Sequence, residues 1–182
     1  TFTVPSTNDI TNSNNITYNL NEDVVAGATV IYTRTSGTPD SGSPHTVNLN
    51  ATDRTNGSGK TLSSPPTLVS GTTYTISFSG DDSAGNNGAA EVTNITYDAT
   101  APTASIAYDS TGPYRNGETV RITANFNEDM ANPPAPQMQI EIAGPDTASV
   151  SATNMTYVSA IQYYYDYAVP TQNGTGTISL RT

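Results

Sequence analysis

The side chains best suited to chemistry in this chain are oxygen donors, gathered in short acidic stretches. NED occurs at 21–23 and again at 127–129, DDSAGN occupies 81–86, and a further acid stands at 98. The candidate ligands are Asn21, Glu22, Asp23, Asp81, Asp82, Asn86, Asp98, Asn127, Glu128 and Asp129. Calcium is held by roughly six to eight oxygens from carboxylates, amide side chains, backbone carbonyls and water. Asp and Asn are equally typical of turns, where they cap their own backbone, so both interpretations stay open.

Catalytic groups are scarce. The chain has one histidine and no cysteine, which leaves nucleophilic and imidazole catalysis poorly supplied. His45, in GSPHTV, is expected to be a solvent-facing loop residue. The acids that are adjacent in sequence, at 81–82 and 128–129, are poorly placed to face each other across a cleft, as paired acid and base groups must. We therefore expect a protein that is not an enzyme.

The charge balance restricts the classes of partner that the chain can bind. Six basic residues against sixteen acidic ones give a formal net charge of −10. Nucleic-acid binding depends on Lys and Arg neutralising phosphates, so this chain should repel nucleic acid and anionic lipid alike. Its apolar runs are all shorter than the roughly 18 residues that a membrane-spanning helix needs. We expect neither nucleic-acid binding nor membrane insertion.

Two short sequence segments each recur later in the chain at nearly the same offset, which indicates a tandem repeat. ITYNLNEDV at 16–24 returns as ITANFNEDM at 122–130, an offset of 106, and TYTISF at 73–78 returns as TGTISL at 175–180, an offset of 102. Two recurring segments in the same order predict two copies of one module of about one hundred residues. The predicted division is a first module at 1–98, a short joint at 99–103 and a second module at 104–182. Pro102 should make that joint extended and semi-rigid.

The sequence pattern of both modules predicts β-structure. Apolar and polar letters alternate with period two, β-branched residues are frequent, and turn clusters recur every 8 to 12 residues, which together predict two tandem β-sandwiches with under a tenth helix. The expected cores consist of Ile16, Tyr18, Leu20, Ile76 and Phe78 in the first module, and Val120, Ile122, Phe126, Ile178 and Leu180 in the second. In IQYYYDYAV we expect Tyr163, Tyr165 and Tyr167 on the core face. Tyr164 lies on the other face beside Asp166, where it could contact a sugar or a protein.

Several short motifs resemble known extracellular repeats. PTLVSGTTYTISFSG at 66–80 resembles the E–F corner of fibronectin type III domains. That resemblance implies that the Tyr74 hydroxyl bonds back to the preceding turn and that Leu68 fills the core below it. DDSAGN, the paired NEDV and NEDM, TGPYRNGETVRITANF and YDATAP resemble bacterial Ig-like repeats, which tile large secreted or cell-surface proteins, including adhesins. This second resemblance implies that 21–23 lies near 81–86, and that the 127–129 loop faces the joint and Asp98. No Trp is present, and Gly176 stands where the first copy has Tyr74.

The second copy is shorter than the first. After Phe78 the first copy continues for twenty residues to Asp98, whereas only Arg181 and Thr182 follow Leu180. The second module should therefore lack a loop and its last strand, leaving an open sheet edge. Two explanations stay open: the sequence stops early, or a neighbouring chain donates the missing strand.

Three functions fit these features. The first is a structural spacer of an extracellular prokaryotic surface protein, flanked by further Ig-like modules of the same parent chain. The second is a module that binds a glycan or a protein through its loops or open edge. The third is a protomer of a surface filament joined by strand exchange. The repeat and the stiff joint favour the spacer.

Overall fold

The computed structural model describes residues 1–130, 137–144, 149–171 and 174–181. Every regular element in these ranges is a β-strand, which confirms the predicted all-β class. No described element is a helix long and apolar enough to cross a membrane. The chain divides into two compact units, Thr1–Thr100 and Ala101–Thr182, here called unit 1 and unit 2.

Unit 1 contains eight strands in two sheets. They are β1 (Phe2–Val4), β2 (Ile10–Thr11), β3 (Thr17–Leu20), β4 (Thr29–Gly37), β5 (His45–Asn48), β6 (Gly57–Thr61), β7 (Thr72–Asp81) and β8 (Asn87–Tyr97). One sheet has the order β1-β3-β6 and the other β2-β8-β7-β4-β5. All pairs are antiparallel except β2 with β8.

Unit 2 has seven strands among its described residues. They are β9 (Ala104–Tyr108), β10 (Thr119–Phe126), β11 (Gln139–Ala143), β12 (Val150–Asn154), β13 (Thr156–Ser159), β14 (Gln162–Ala168) and β15 (Thr177–Arg181). One sheet has the order β13-β14-β10-β9 and the other β12-β11-β15. Strand β15 therefore lies at the edge of its sheet in the described part of the chain.

The alternating pattern of unit 1 buries one face of each sheet. Ile16, Tyr18 and Leu20 near or on β3 are at most 8% exposed, and Ile76 on β7 is 2% exposed. Ile16, Tyr18 and Leu20 form one cluster with Val30, Tyr32, Ile76 and Ile95 of the other sheet, while Phe78 and Leu68 pack against it half-buried. Because side chains of both sheets share this cluster, unit 1 is a β-sandwich, and its predicted core residues are confirmed.

Unit 2 has a separate core. Val120 and Ile122 are each 2% exposed, whereas the predicted Phe126, Ile178 and Leu180 are half-buried and pack against the core cluster. That cluster also contains four residues, each at most 4% exposed, that were not predicted to belong to a core: Ala124, Met138, Ile140 and Met155. Met138 alternates with Ile140 and Ile142, and Ala124 with Ile122, so these positions follow period two. Met155 lies between β12 and β13, where no strand period indicates that it is buried.

The sequence repeat reappears as a repeated pairing register. In unit 1, β4 pairs with β7 so that Val30 lies opposite Phe78 and Tyr32 opposite Ile76. In unit 2, β11 pairs with β15 so that Ile140 lies opposite Leu180 and Ile142 opposite Ile178. Since TISF and TISL are the repeated letters, β15 occupies in unit 2 the place that β7 occupies in unit 1. One difference follows: β7 has β8 on its other side, whereas β15 pairs only with β11 in the described residues.

Candidate functional site

The two predicted ligand stretches of unit 1 are neighbours, and several of their oxygens accept hydrogen bonds from within the unit. The backbone N–H of Val25 donates to the carbonyl of Asp81 at 2.8 Å, which joins the loop after β3 to the β7–β8 turn. The carboxylate of Asp23 accepts the backbone N–H of Asn56 at 2.6 Å. The carboxylate of Asp81 accepts the Asn87 side-chain amide at 2.7 Å.

Asp82 organises the turn between β7 and β8. One carboxylate oxygen accepts the backbone N–H groups of Ala84 and Asn86, each at 2.8 Å, and the other accepts the Asn86 side-chain amide at 2.8 Å. These hydrogen bonds, that of the Asn86 side chain first, lower the pKa of Asp82. Such contacts are those of a turn-capping aspartate.

Within unit 1, Asp98 lies apart from this turn. Asp98 accepts the Ser70 hydroxyl and the Thr100 backbone N–H, at the end of the β7–β8 hairpin opposite to Asp81. In unit 2, the Asn127 side-chain oxygen accepts the Thr103 backbone N–H at 2.6 Å. One carboxylate oxygen of the nearby Glu128 is buried without a hydrogen-bond partner in the described residues.

No group of three or more His, Cys, Asp or Glu residues that could hold a metal ion occurs in the described ranges. Amide and carbonyl oxygens are also calcium ligands, so calcium binding by the candidate residues stays a prediction, to be tested by titration. Asn21, for its part, offers its backbone carbonyl to the Asn56 side chain at 2.7 Å.

The prediction for His45 is wrong. The residue begins strand β5, its side chain is 19% exposed, and its Nε2 lies 2.6 Å from the Asp40 carboxylate. That same carboxylate oxygen accepts the Tyr74 hydroxyl at 2.7 Å, and the Asp40 side chain is only 4% exposed. The physical reason is pairing with β4, which draws PHTV into the sheet edge and places the imidazole over the carboxylate.

This cluster, defined as Asp40, His45 and Tyr74, fixes a corner of unit 1. The Tyr74 hydroxyl also accepts the Val69 backbone N–H at 3.1 Å, which confirms the predicted bond from Tyr74 to the 66–72 segment. Hydrogen bonds from His45 and then Tyr74 lower the pKa of Asp40 to about 2. The cluster joins the loop between β4 and β5 to the segment before β7.

Unit 2 has a cavity where the corresponding tyrosine is missing. Gly176 replaces Tyr74 in the repeat and lines a cavity of about 520 Å³. Three tyrosine rings, of Tyr108, Tyr114 and Tyr167, line it together with Ile142 and Ile178. The cavity is therefore apolar and aromatic, and it lies beside the first residues of the edge strand β15.

The tyrosine-rich strand β14 behaves largely as predicted. Tyr163 is 3% exposed, and Tyr165 and Tyr167 pack half-buried against the core of unit 2. Tyr164 lies on the other face, where the Arg121 guanidinium stacks 3.9 Å above its ring while donating two hydrogen bonds to Asp166. Arg121 therefore covers one face of the Tyr164 ring, and contact of this residue with a sugar or a protein stays a prediction.

Comparisons with protein-family models, curated proteins and solved structures found no match for this chain.

Proposed function

We propose that this chain is a non-catalytic structural repeat, a spacer of an extracellular prokaryotic surface protein such as an adhesin stalk. The observation that carries the proposal is the repeated register: β4 with β7 and β11 with β15 present the same residue positions to two separate cores. Repetition of one self-contained unit sets length, because each unit adds its own dimension and needs no partner core.

The contacts around the candidate residues support this proposal. The carboxylates of Asp81 and Asp82 accept amide donors of the β7–β8 turn, and that of Asp23 accepts the backbone N–H of Asn56 from the loop before β6. The Asp40 cluster is likewise directed inward, at the corner before β7. Side chains used in this way hold the loops of unit 1 in place, which suits a structural role.

A surface-display experiment tests the spacer role. The chain is placed between a cell anchor and a small epitope, and capture of the cells by antibody-coated beads is measured. A Gly/Ser linker of equal length is the control, because it coils to an r.m.s. span of about 70–80 Å. The spacer proposal predicts better capture than with the linker. Equal capture, or bead binding by the chain without the epitope, would contradict it.

A second function is favoured by one observation. Strand β15 pairs with β11 alone among the described residues. Exposed backbone groups on a sheet edge are a template for pairing with another chain. A protomer of a surface filament that accepts a strand is therefore the alternative to the pure spacer.

A further inference from the structure

We propose that the pair formed by β2 and β8 is a load-bearing clamp, whose hydrogen bonds together set the force at which unit 1 opens when the chain is stretched. This pair is parallel, whereas the other strand pairs of unit 1, all of whose residues are described, are antiparallel. The purpose of such a clamp rests on the proposed spacer role, because a spacer between a cell and its target is under tension. The clamp itself is a property of unit 1 alone and is measured separately.

Three backbone hydrogen bonds join β2 and the residues just before it to β8. They run from the N–H of Asn8 to the carbonyl of Thr93 at 3.1 Å, from Thr96 to Asp9 at 2.9 Å and from Asp98 to Thr11 at 2.9 Å. Ile10, the first residue of β2, is 76% exposed, so its side chain contributes little buried area. Hydrogen bonds rather than core packing therefore hold β2 in place.

A β-bulge in β8 extends this contact. One residue of β7 lies between Tyr74 and Ile76, whereas two residues of β8 lie between their partners Ile95 and Val92. Within the bulge Asn94 has a positive φ of 60°, a conformation that Asn adopts more readily than most residues. Its side-chain amide donates to the Asn8 side-chain oxygen at 2.8 Å. The bulge thus adds a side-chain bond to the three backbone bonds.

The direction of the two strands determines how a load reaches these bonds. Stretching unit 1 from its ends pulls β2 towards its own N-terminal end and β8 towards its own C-terminal end. Because the strands are parallel, the two pulls are opposite along one axis, and the bonds between the strands carry the load together. Strand β8 stays anchored, since it pairs with β7 along its whole length and the Tyr97 carbonyl accepts the Gly71 N–H at 2.8 Å. Separation of β2 from β8 should therefore limit the opening of unit 1.

Two pulling directions test the clamp on the full chain. The chain has no cysteine, so a pair of introduced cysteines alone defines where the handles attach. Ser6→Cys with Ala99→Cys pulls β2 and β8 from opposite ends and leaves β1 outside the loaded segment. Asn12→Cys with Ala99→Cys pulls the same strands from the same end, so that the bonds open one after another. All three positions are exposed, and the unfolding force is measured with an atomic force microscope.

The proposal predicts an unfolding force about two- to threefold higher for pulling from opposite ends, since three backbone bonds share the load instead of one. Circular dichroism and thermal melting establish that both double variants fold like the wild type. Equal forces in the two directions, or a lower force for pulling from opposite ends, would overturn the proposal.

Asn94→Gly separates the clamp from general stability. Glycine keeps the positive φ, so this variant loses the amide bond to Asn8 while the bulge is retained. The force for pulling from opposite ends should fall. The force for pulling from the same end should not, because the Asn94 bond lies at the far end of the pair and breaks last. Asn87→Ala is the control, since its side chain bonds Ser79 and Asp81 of β7 and not β2. A fall of both forces by the same factor in Asn94→Gly would overturn the clamp.

The clamp and the spacer role can fail separately. Equal unfolding forces in the two directions, together with good bead capture in the surface-display experiment, would reject the clamp alone. Direction-dependent forces, together with capture no better than that of the Gly/Ser linker, would reject the spacer role and leave the clamp in place.

Discussion

The Tyr74 hydroxyl donates a hydrogen bond to the Asp40 carboxylate at 2.7 Å, which joins the start of β7 to the loop between β4 and β5. The two residues are 34 positions apart in sequence. Because the same hydroxyl also accepts the Val69 N–H, one tyrosine ties three segments of unit 1 together.

Tyr74→Phe should lower the free energy of unfolding of unit 1 by about 1.5–3 kcal/mol, since a hydrogen bond to a charged group is lost and Val69 loses its acceptor. Urea unfolding, followed by hydrogen exchange of the β7 amides, measures the change. The control is Tyr97→Phe on β8, whose hydroxyl makes no hydrogen bond among the described residues. Equal losses in the two variants would show that the bond to Asp40 contributes nothing specific.

The ionised Asp40 carboxylate should make the free energy of unfolding of unit 1 depend on pH below about 4. Hydrogen bonds from His45 and Tyr74 lower its pKa from 3.8 to about 2 in the folded chain. The contribution is therefore fully present above the unfolded pKa, and it is lost as pH falls from about 4 to about 2. The difference in unfolding free energy between wild type and Asp40→Asn should shrink over that interval. Parallel pH profiles would contradict the assignment, and Glu91→Gln controls for net charge.

A pair of glycine substitutions separates backbone strain from steric clash. Gly37 and Gly59 both have positive φ, +76° and +65°, where a side chain costs roughly 1–2 kcal/mol. A Cβ at Gly59 meets open space, whereas a Cβ at Gly37 would collide with the Gly71 carbonyl oxygen. Gly59→Ala should therefore show only the strain cost, and Gly37→Ala a clearly larger loss. Equal losses of unfolding free energy in urea would mean that the Gly37 and Gly71 segments move apart at no cost.

Calcium binding is tested by titration calorimetry at millimolar Ca²⁺. If the candidate residues are ligands, uptake should be detected with a dissociation constant of about 10⁻⁴–10⁻³ M, giving about 0.4–1.4 kcal/mol of stabilisation. Asp82→Asn should then reduce uptake, and Glu91→Gln on β8 should not. Absence of uptake by the wild type would leave these acids as turn residues, in keeping with their amide partners.

Repetition and alternation made the fold predictable. Ile16, Tyr18 and Ile76 could be assigned to a core because period two puts them on one face, and the E–F resemblance placed the Tyr74 hydroxyl against the 66–72 turn. The partnership of Asp40 with His45 could not be predicted, because it depends on the β4–β5 register. The sequence signal for this contact was only the separation of Asp40 and His45 by five positions in DSGSPH.

The cavity of unit 2 was only half visible in the sequence. The exchange of Tyr74 for Gly176 could be read from the repeat, but the rings that surround the vacated space come from three separate segments, at Tyr108, Tyr114 and Tyr167. The sequence separation of these tyrosines does not indicate that their rings lie around one cavity. Likewise Asp53, 3% exposed, is buried because Ser63 donates both its backbone N–H and its hydroxyl to the carboxylate, a contact that no local pattern announces.

Single-molecule force extension of the 182-residue chain shows whether two independently folded units carry load in series. A spacer of two such units should give two separate unfolding events in each trace. At about 3.3–3.6 Å per residue, their contour lengths should correspond to at most about 330–360 Å from unit 1 and 270–300 Å from unit 2. Extension without resistance, or one event that releases the whole chain, would show that the chain is not a spacer of this kind.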